Sequence, residues 1–280
     1  MNRWRVRHLS TRGLLYGAAL LLVCQASFPF FWMVSTSFKP PAEVFAQPPS
    51  FIPQDATWDN FHRLFTTTNF LTYFWNSLIV SGLAVLLTMV VSAAGAYSLT
   101  RYRYPGREQI AVLILCTYMF APIMVVIPFF ILVKKVGIEN THFALVLALT
   151  SFCLPFTLWL LRAFFQTIPI ELEEAAMVDG AGRLRAVIYV VLPLALPGII
   201  ATSIFTFILA WNDFIFTRIL IAADELKTLP VGVQDLFHSA LTDWGLIMGA
   251  GVMITIPALL FFVTVQRYLI RGWGAGAVKG

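Results

Sequence analysis

Apolar residues run nearly unbroken at six places along the chain, 13–34, 76–99, 109–133, 142–165, 196–220 and 245–270. Each approaches or exceeds the roughly 20 residues that a helix needs to cross hydrocarbon, so the pattern predicts six membrane spans. Pro122 and Pro128 fall inside the third run and predict a kink there, because a proline removes one backbone bond of the ladder. Segment 35–75 is polar, aromatic and rich in proline (Pro40, Pro41, Pro48, Pro49, Pro53), too broken to span; it predicts a folded external loop with a short helix near 58–65. Residues 134–141 and 221–244 read as further outer loops, and 100–107 as a short basic turn.

The stretch 171–197, ELEEAAMVDGAGRLRAVIYVVLPLALP, breaks the series of spans differently. Glu171, Glu173, Glu174, Asp179, Arg183 and Arg185 crowd its first fifteen residues, and each would cost about 2.5–3.5 kcal/mol at a bilayer centre. The segment therefore lies outside the hydrocarbon. It carries two helical stripes, Leu172, Ala175 and Ala176 at i, i+3, i+4, then Leu184, Val187, Ile188 and Val191 at i, i+3, i+4, i+7. Between them Gly180 and Gly182 permit a bend, and Asp179 is expected to cap the second helix. Pro193 and Pro197 mark the entry to the next span. A helix lying on anionic lipid favours Lys and Arg on its polar face; here acids outnumber bases four to two, which favours a protein partner.

Glu174-Ala175-Ala176, Asp179-Gly180-Ala181, Leu192-Pro193 and Pro197, at this spacing, resemble the EAA loop of bacterial ATP-binding-cassette importer permeases. Across nearly all 280 residues the chain is similar to the binding-protein-dependent carbohydrate branch, the maltose-permease-G-like subunits. The resemblance implies an all-α polytopic membrane protein: a cytoplasmic N-terminus at 1–12, a six-helix permease domain at 13–270 with its external loop at 35–75 and its coupling loop at 167–195, and a cytoplasmic tail at 271–280. It implies that Glu173, Glu174, Ala175, Ala176, Asp179, Gly180, Ala181, Leu192 and Pro193 couple to an ATPase subunit, and that the tail, Gly276, Ala277, Val278, Lys279 and Gly280, reaches the same subunit. The implied partners are a second permease subunit, two copies of the ATPase, a periplasmic or extracellular solute-binding protein, a sugar and membrane lipid, in a bacterial cytoplasmic membrane.

Composition agrees with the spans. Hydrophobic residues make up 59%, charged residues 12%, and mean hydropathy is +0.81, against about 45–50% and 25% in soluble domains. With alternating sides, the termini, the 100–107 turn and the 171–197 side hold 13 of the 19 Lys and Arg residues, and the other side holds 6. The basic side is cytoplasmic, which puts the loop within reach of an ATPase without help from the resemblance. The net charge of +5 needs no nucleic acid to explain it.

No GxxxxGK[ST] is present, so ATP and Mg are expected on a partner ATPase and no cofactor on this chain. Cys24, Cys116 and Cys153 lie in apolar runs, and His8, His62, His142 and His238 are scattered without ligand spacing, so neither metal binding nor catalysis is expected. Trp211-Asn212-Asp213 resembles a family signature near the outer part of the fifth span. Two readings stand for it, an outer gate or contact to the partner permease, and a structural cap by Asp213, an acid inside a predicted span. The small residues Ser92-Ala93-Ala94-Gly95-Ala96 and Gly245, Gly249 and Gly251 predict close helix approach. The alternative function, an ion-coupled secondary carrier, predicts paired intramembrane acids and a repeat, and the sequence offers neither.

Overall fold

The computed structural model describes residues 2–237 and 243–274. In chain order the helices are α1 (Asn2–Ser37), α2 (Pro41–Val44), α3 (Asp59–Thr66), α4 (Phe70–Arg101), α5 (Arg107–Thr117), α6 (Pro122–Val136), α7 (His142–Gln166), α8 (Glu171–Val178), α9 (Arg183–Ala186), α10 (Leu192–Leu194), α11 (Leu196–Trp211), α12 (Ile215–Leu220), α13 (Leu229–Leu236) and α14 (Trp244–Gly274). Strands are absent among the described residues. Among the described residues, four helices are long and apolar enough to cross a membrane, and up to six spans result if each of two sharply bent pairs is one span.

Those bent pairs correct the sequence reading. The third run is not a kinked helix: α5 and α6 meet at 97°. Ala121 is extended, as a residue preceding proline prefers to be, and Pro122 opens α6 from its first turn, while Pro128 is accommodated inside it. The fifth run is not one helix either. α11 ends at Trp211 after 16 residues, about 24 Å of rise, and joins the 183–194 segment through a 75° bend. Residues 215–220 form a separate helix.

The chain divides into two compact units. In the first, 1–70 with 233–256, the external loop is folded as its composition predicts. Lys39 is 2% exposed; its ammonium donates to the Ser50 carbonyl and lies 4.5 Å from the Trp32 ring centroid. The Asn60 amide donates to the carbonyls of Ser37 at 2.9 Å and Lys39 at 2.8 Å, and Gly245 is needed because a Cβ there would stand 2.7 Å from that amide. Arg63 pairs with Asp243 at 2.6 Å.

The second unit, 71–232 with 257–280, is built around α7, whose most apolar window is 61% buried against 28% or less in the other long apolar helices, while Phe143 and Trp159 stay exposed. Leu145, Val146, Ala148 and Leu149 of α7 cluster with Val80 and Ala84 of α4, Val126 of α6, Ala210 of α11 and Phe216 of α12. Close approach depends on small residues, at Gly95 as predicted, where a Cβ would meet Leu158 at 2.7 Å, and also at Gly198, which the sequence reading did not single out, where it would meet the Phe164 ring at 2.3 Å. Thr157 and Thr206 share a buried hydrogen bond of 2.9 Å between α7 and α11. At the start of α4, Tyr73 donates to Asp224 at 2.8 Å, Asn76 to the carbonyls of Glu225 and Lys227 at 2.7 and 2.9 Å, and Ser77 accepts from the Leu229 N–H at 2.7 Å.

Candidate functional site: the 171–194 loop

The loop forms the expected two arms about a bend. α8 begins with three acids in its first turn, where they oppose the positive end of the helix dipole. It ends at Gly180, whose φ of +89° is open to glycine at little cost. The Ala181 N–H donates to the Ala176 carbonyl at 3.0 Å and the Gly180 N–H to the Met177 carbonyl at 3.1 Å. This is the paired 6→1 and 5→2 bonding of a Schellman stop, with glycine at the position after the cap.

Three details depart from the sequence reading. Asp179 does not cap the second helix. It closes α8, whereas the residue before α9 is Gly182, with no side-chain cap bond, because the left-handed turn at Gly180 carries the chain away between the two. The second stripe is not one buried face either. Residues Val187–Val191 wind as a π-helix, which widens the turn and breaks the 3.6 period; Leu184 is exposed and Val191 is fully buried. In the first arm, Leu172 and Ala175 point outward, and the inward positions are Glu173, Ala176 and Met177.

The inward acid has partners. Glu173 is paired with the Arg101 guanidinium, with side-chain exposures of 5% and 9%; the Tyr97 hydroxyl donates to its other oxygen at 3.0 Å, and Arg101 Nη2 donates to the Ile168 carbonyl at 2.9 Å. Removing one member of such a buried pair leaves the other charge uncompensated, at a cost of about 3–5 kcal/mol. Across the bend, Arg183 stands over the Tyr102 ring at 5.1 Å. Arg162 of α7, also buried, binds both carboxylate oxygens of Glu108 at 2.7 and 2.6 Å. Glu174, Ala175, Asp179, Gly180 and Pro193 face outward, Ala176, Ala181 and Leu192 are half-buried, and the apolar Val178, Leu184 and Tyr189 are exposed at 86%, 72% and 75%. The first arm thus offers acids together with the apolar Val178, and the second offers Leu184 and Tyr189 beside the exposed Arg183 and Arg185, while Glu173 is held inside the chain rather than free for another subunit.

The remaining predicted residues lie elsewhere. Trp211 is buried against Phe74 and Phe207, and Asn212 is exposed. Asp213 accepts from the N–H groups of Phe216 at 3.2 Å and Thr217 at 2.9 Å and from the Thr217 hydroxyl at 3.0 Å, the cap that was one of its two readings. Gly276, Ala277, Val278, Lys279 and Gly280 lie outside the described residues. Tyr97, Arg101 and Tyr102 were missed by pattern reasoning: the octet 100–107 read only as a basic turn. The available signal was the second helical frame in α8, Glu173-Ala176-Met177, which places an acid on the inward face.

The profile described as binding-protein-dependent transport system inner membrane component matches residues 92–274, which contain the whole loop and its Arg101 and Tyr97 partners. The chain belongs to that family. Its relatives in the family include the inner membrane ABC transporter permease protein YcjP of Escherichia coli, 36% identical with 98% of each chain covered. The diacetylchitobiose uptake system permease protein DasC of Streptomyces coelicolor is 37% identical over 94% of this chain and 95% of its own. The trehalose/maltose transport system permease protein MalG of Thermococcus litoralis is 34% identical over 96% and 97%. In fold, the chain superimposes with a TM-score of 0.83, at 24% identity and with 96% and 98% covered, on a chain of a bacterial ABC transporter involved in the import of the acidic polysaccharide alginate. As a member of this permease family, the protein is a multi-pass membrane component of an ABC importer and not an enzyme. Membership displaces the ion-coupled carrier.

Proposed function

We propose that the protein is one of two permease subunits of an ATP-driven sugar importer in a bacterial cytoplasmic membrane, served by a solute-binding protein and driven by two copies of an ATPase. The sugar class is supported by the substrates for which two relatives are named, diacetylchitobiose and trehalose or maltose. The observation that carries the coupling role is the loop itself: an arm that exposes acids and Val178 and an arm that exposes Leu184, Arg185 and Tyr189, joined through a glycine stop outside the apolar runs. Glu174, exposed in the first turn of α8, forms a charge-assisted contact with a basic residue of the ATPase. Ala175, Asp179 and Gly180 shape the docking surface, and Leu192-Pro193 passes its movement to α11. ATP and Mg bind on the ATPase, with no cofactor on this chain, and the tail 276–280 reaches between the ATPase subunits. Asn212 supplies the outer gate or subunit contact, presented by a turn that Trp211 and Asp213 build.

Glu174→Lys replaces an attraction by a repulsion, and truncating such a buried interfacial charge costs about 2–5 kcal/mol, so docking should weaken by about thirtyfold or more. Gly180→Pro abolishes the left-handed turn. Both variants should insert at parental levels and fail to stimulate the ATPase in the purified complex. Parental assembly and stimulation in both would sink the coupling role.

A further inference from the structure

We propose that the 97–102 segment, the last turn of α4 and the residue after it, is a clasp that grips both arms of the loop, and that Arg101 is the positioning residue through which α4 moves with the loop. This rests on the coupling role proposed above. Covalent connections lead from the loop only to α7 and, through the 75° bend, to α11. α4 is distant in sequence, 72 residues separating Arg101 from Glu173, yet it holds the loop at several points.

On the first arm, one guanidinium bridges the Glu173 carboxylate and the Ile168 carbonyl, so it fixes direction as well as distance. The Tyr97 hydroxyl takes the second carboxylate oxygen. On the second arm, Arg183 rests over Tyr102, Tyr102 packs edge-on against Tyr97 at 6.1 Å, and Arg107 donates to the Tyr102 carbonyl at 3.1 Å. The ion pair is shielded from solvent and therefore little screened by salt. The two arms flank Gly180, and a bend free to flex would dissipate a push; a common anchor for both makes arms and α4 one body.

α4 is also suited to carry the movement onward. It is one continuous helix of 32 residues, about 48 Å long, and Tyr73, Asn76 and Ser77 near its other end hold the 224–229 segment by side-chain hydrogen bonds. A displacement applied at Glu173 thus reaches the 224–229 segment through a single rod.

The test uses the whole importer complex, with Cys24, Cys116 and Cys153 replaced and nitroxide labels at Val91 of α4 and Tyr189 of the loop, both exposed. Their separation is read by pulsed electron resonance without nucleotide and after trapping with ATP and vanadate. The parent should keep one separation in both states. Arg101→Ala and Glu173→Gln should retain the ATPase but change separation on trapping, and should reduce permease-stimulated hydrolysis by about two- to thirtyfold, with the double variant no worse than either single. A purely structural role would alter the separation equally in both states, which overturns the proposal. Should Arg101→Ala fail to insert, Tyr102→Ala at the half-exposed ring loosens the second arm alone and should give the same nucleotide-dependent change in smaller measure. A parent complex without ATPase overturns the coupling role and the clasp together; a parent with ATPase, and variants that keep one separation, overturns the clasp alone.

Discussion

Glu173 and Glu174 are neighbours with opposite surroundings. Successive helical positions point about 100° apart, so one carboxylate turns in to Arg101 and Tyr97 while the other faces outward. The sequence reading placed both in the coupling set, because a local pattern of letters does not contain a partner 72 residues away. A second carboxylate makes a prediction that depends on pH. Glu43 accepts from the Ser50 hydroxyl and the Gln54 N–H, and that hydroxyl bond, foremost, holds its pKa below the ordinary 4.5. A lowered folded-state pKa means stability that is fully present above the unfolded value and lost as pH falls through the folded one. Limited proteolysis of the 40–54 segment should therefore be slow and constant above pH 4.5 and accelerate below it, whereas Glu43→Gln should cleave faster at neutral pH and show no such step. A step that persists in Glu43→Gln would assign the acid sensitivity to another group.

At the scale of elements, the spans that were legible are those whose apolar period is undisturbed: α4, α7 and the apolar parts of α1 and α14 fall where the runs predict them. The third and fifth runs are apolar enough to span, and hydropathy does not register what divides them. In one, the constraint that Pro122 places on Ala121 turns the chain; in the other, the Asp213 side chain satisfies the free N–H groups of a new helix. The π-turn at 187–191 was equally hidden, since a ladder with one residue too many leaves the composition unchanged. The close packing of α7 on α11 was legible in kind but not in place. Gly198, with the Phe164 ring 2.3 Å from where a Cβ would stand, is the sharpest instance. Gly198→Ala should destabilise the protein by about 1–3 kcal/mol through overpacking, read as a lower midpoint of thermal unfolding in detergent, and Gly198→Ala with Phe164→Leu should recover part of the loss. An unchanged midpoint in the single variant would show that the ring moves aside freely.

For the molecule as a whole, the distribution of basic residues predicts which loops face the cytoplasm. Reporter fusions should confirm it: alkaline phosphatase joined after residue 53 or 225 should be active, and after 104 or 181 inactive. Activity at 181 would put the loop on the wrong side for any ATPase and undo the functional assignment along with the topology. The most apolar 18-residue window within 14–37 has none of its residues buried against the rest of the chain. The surface it leaves uncovered is available to lipid or to the second permease subunit. During synthesis that segment can partition into the membrane while the remainder is still being translated, because at 24 residues it is by itself long and apolar enough to span.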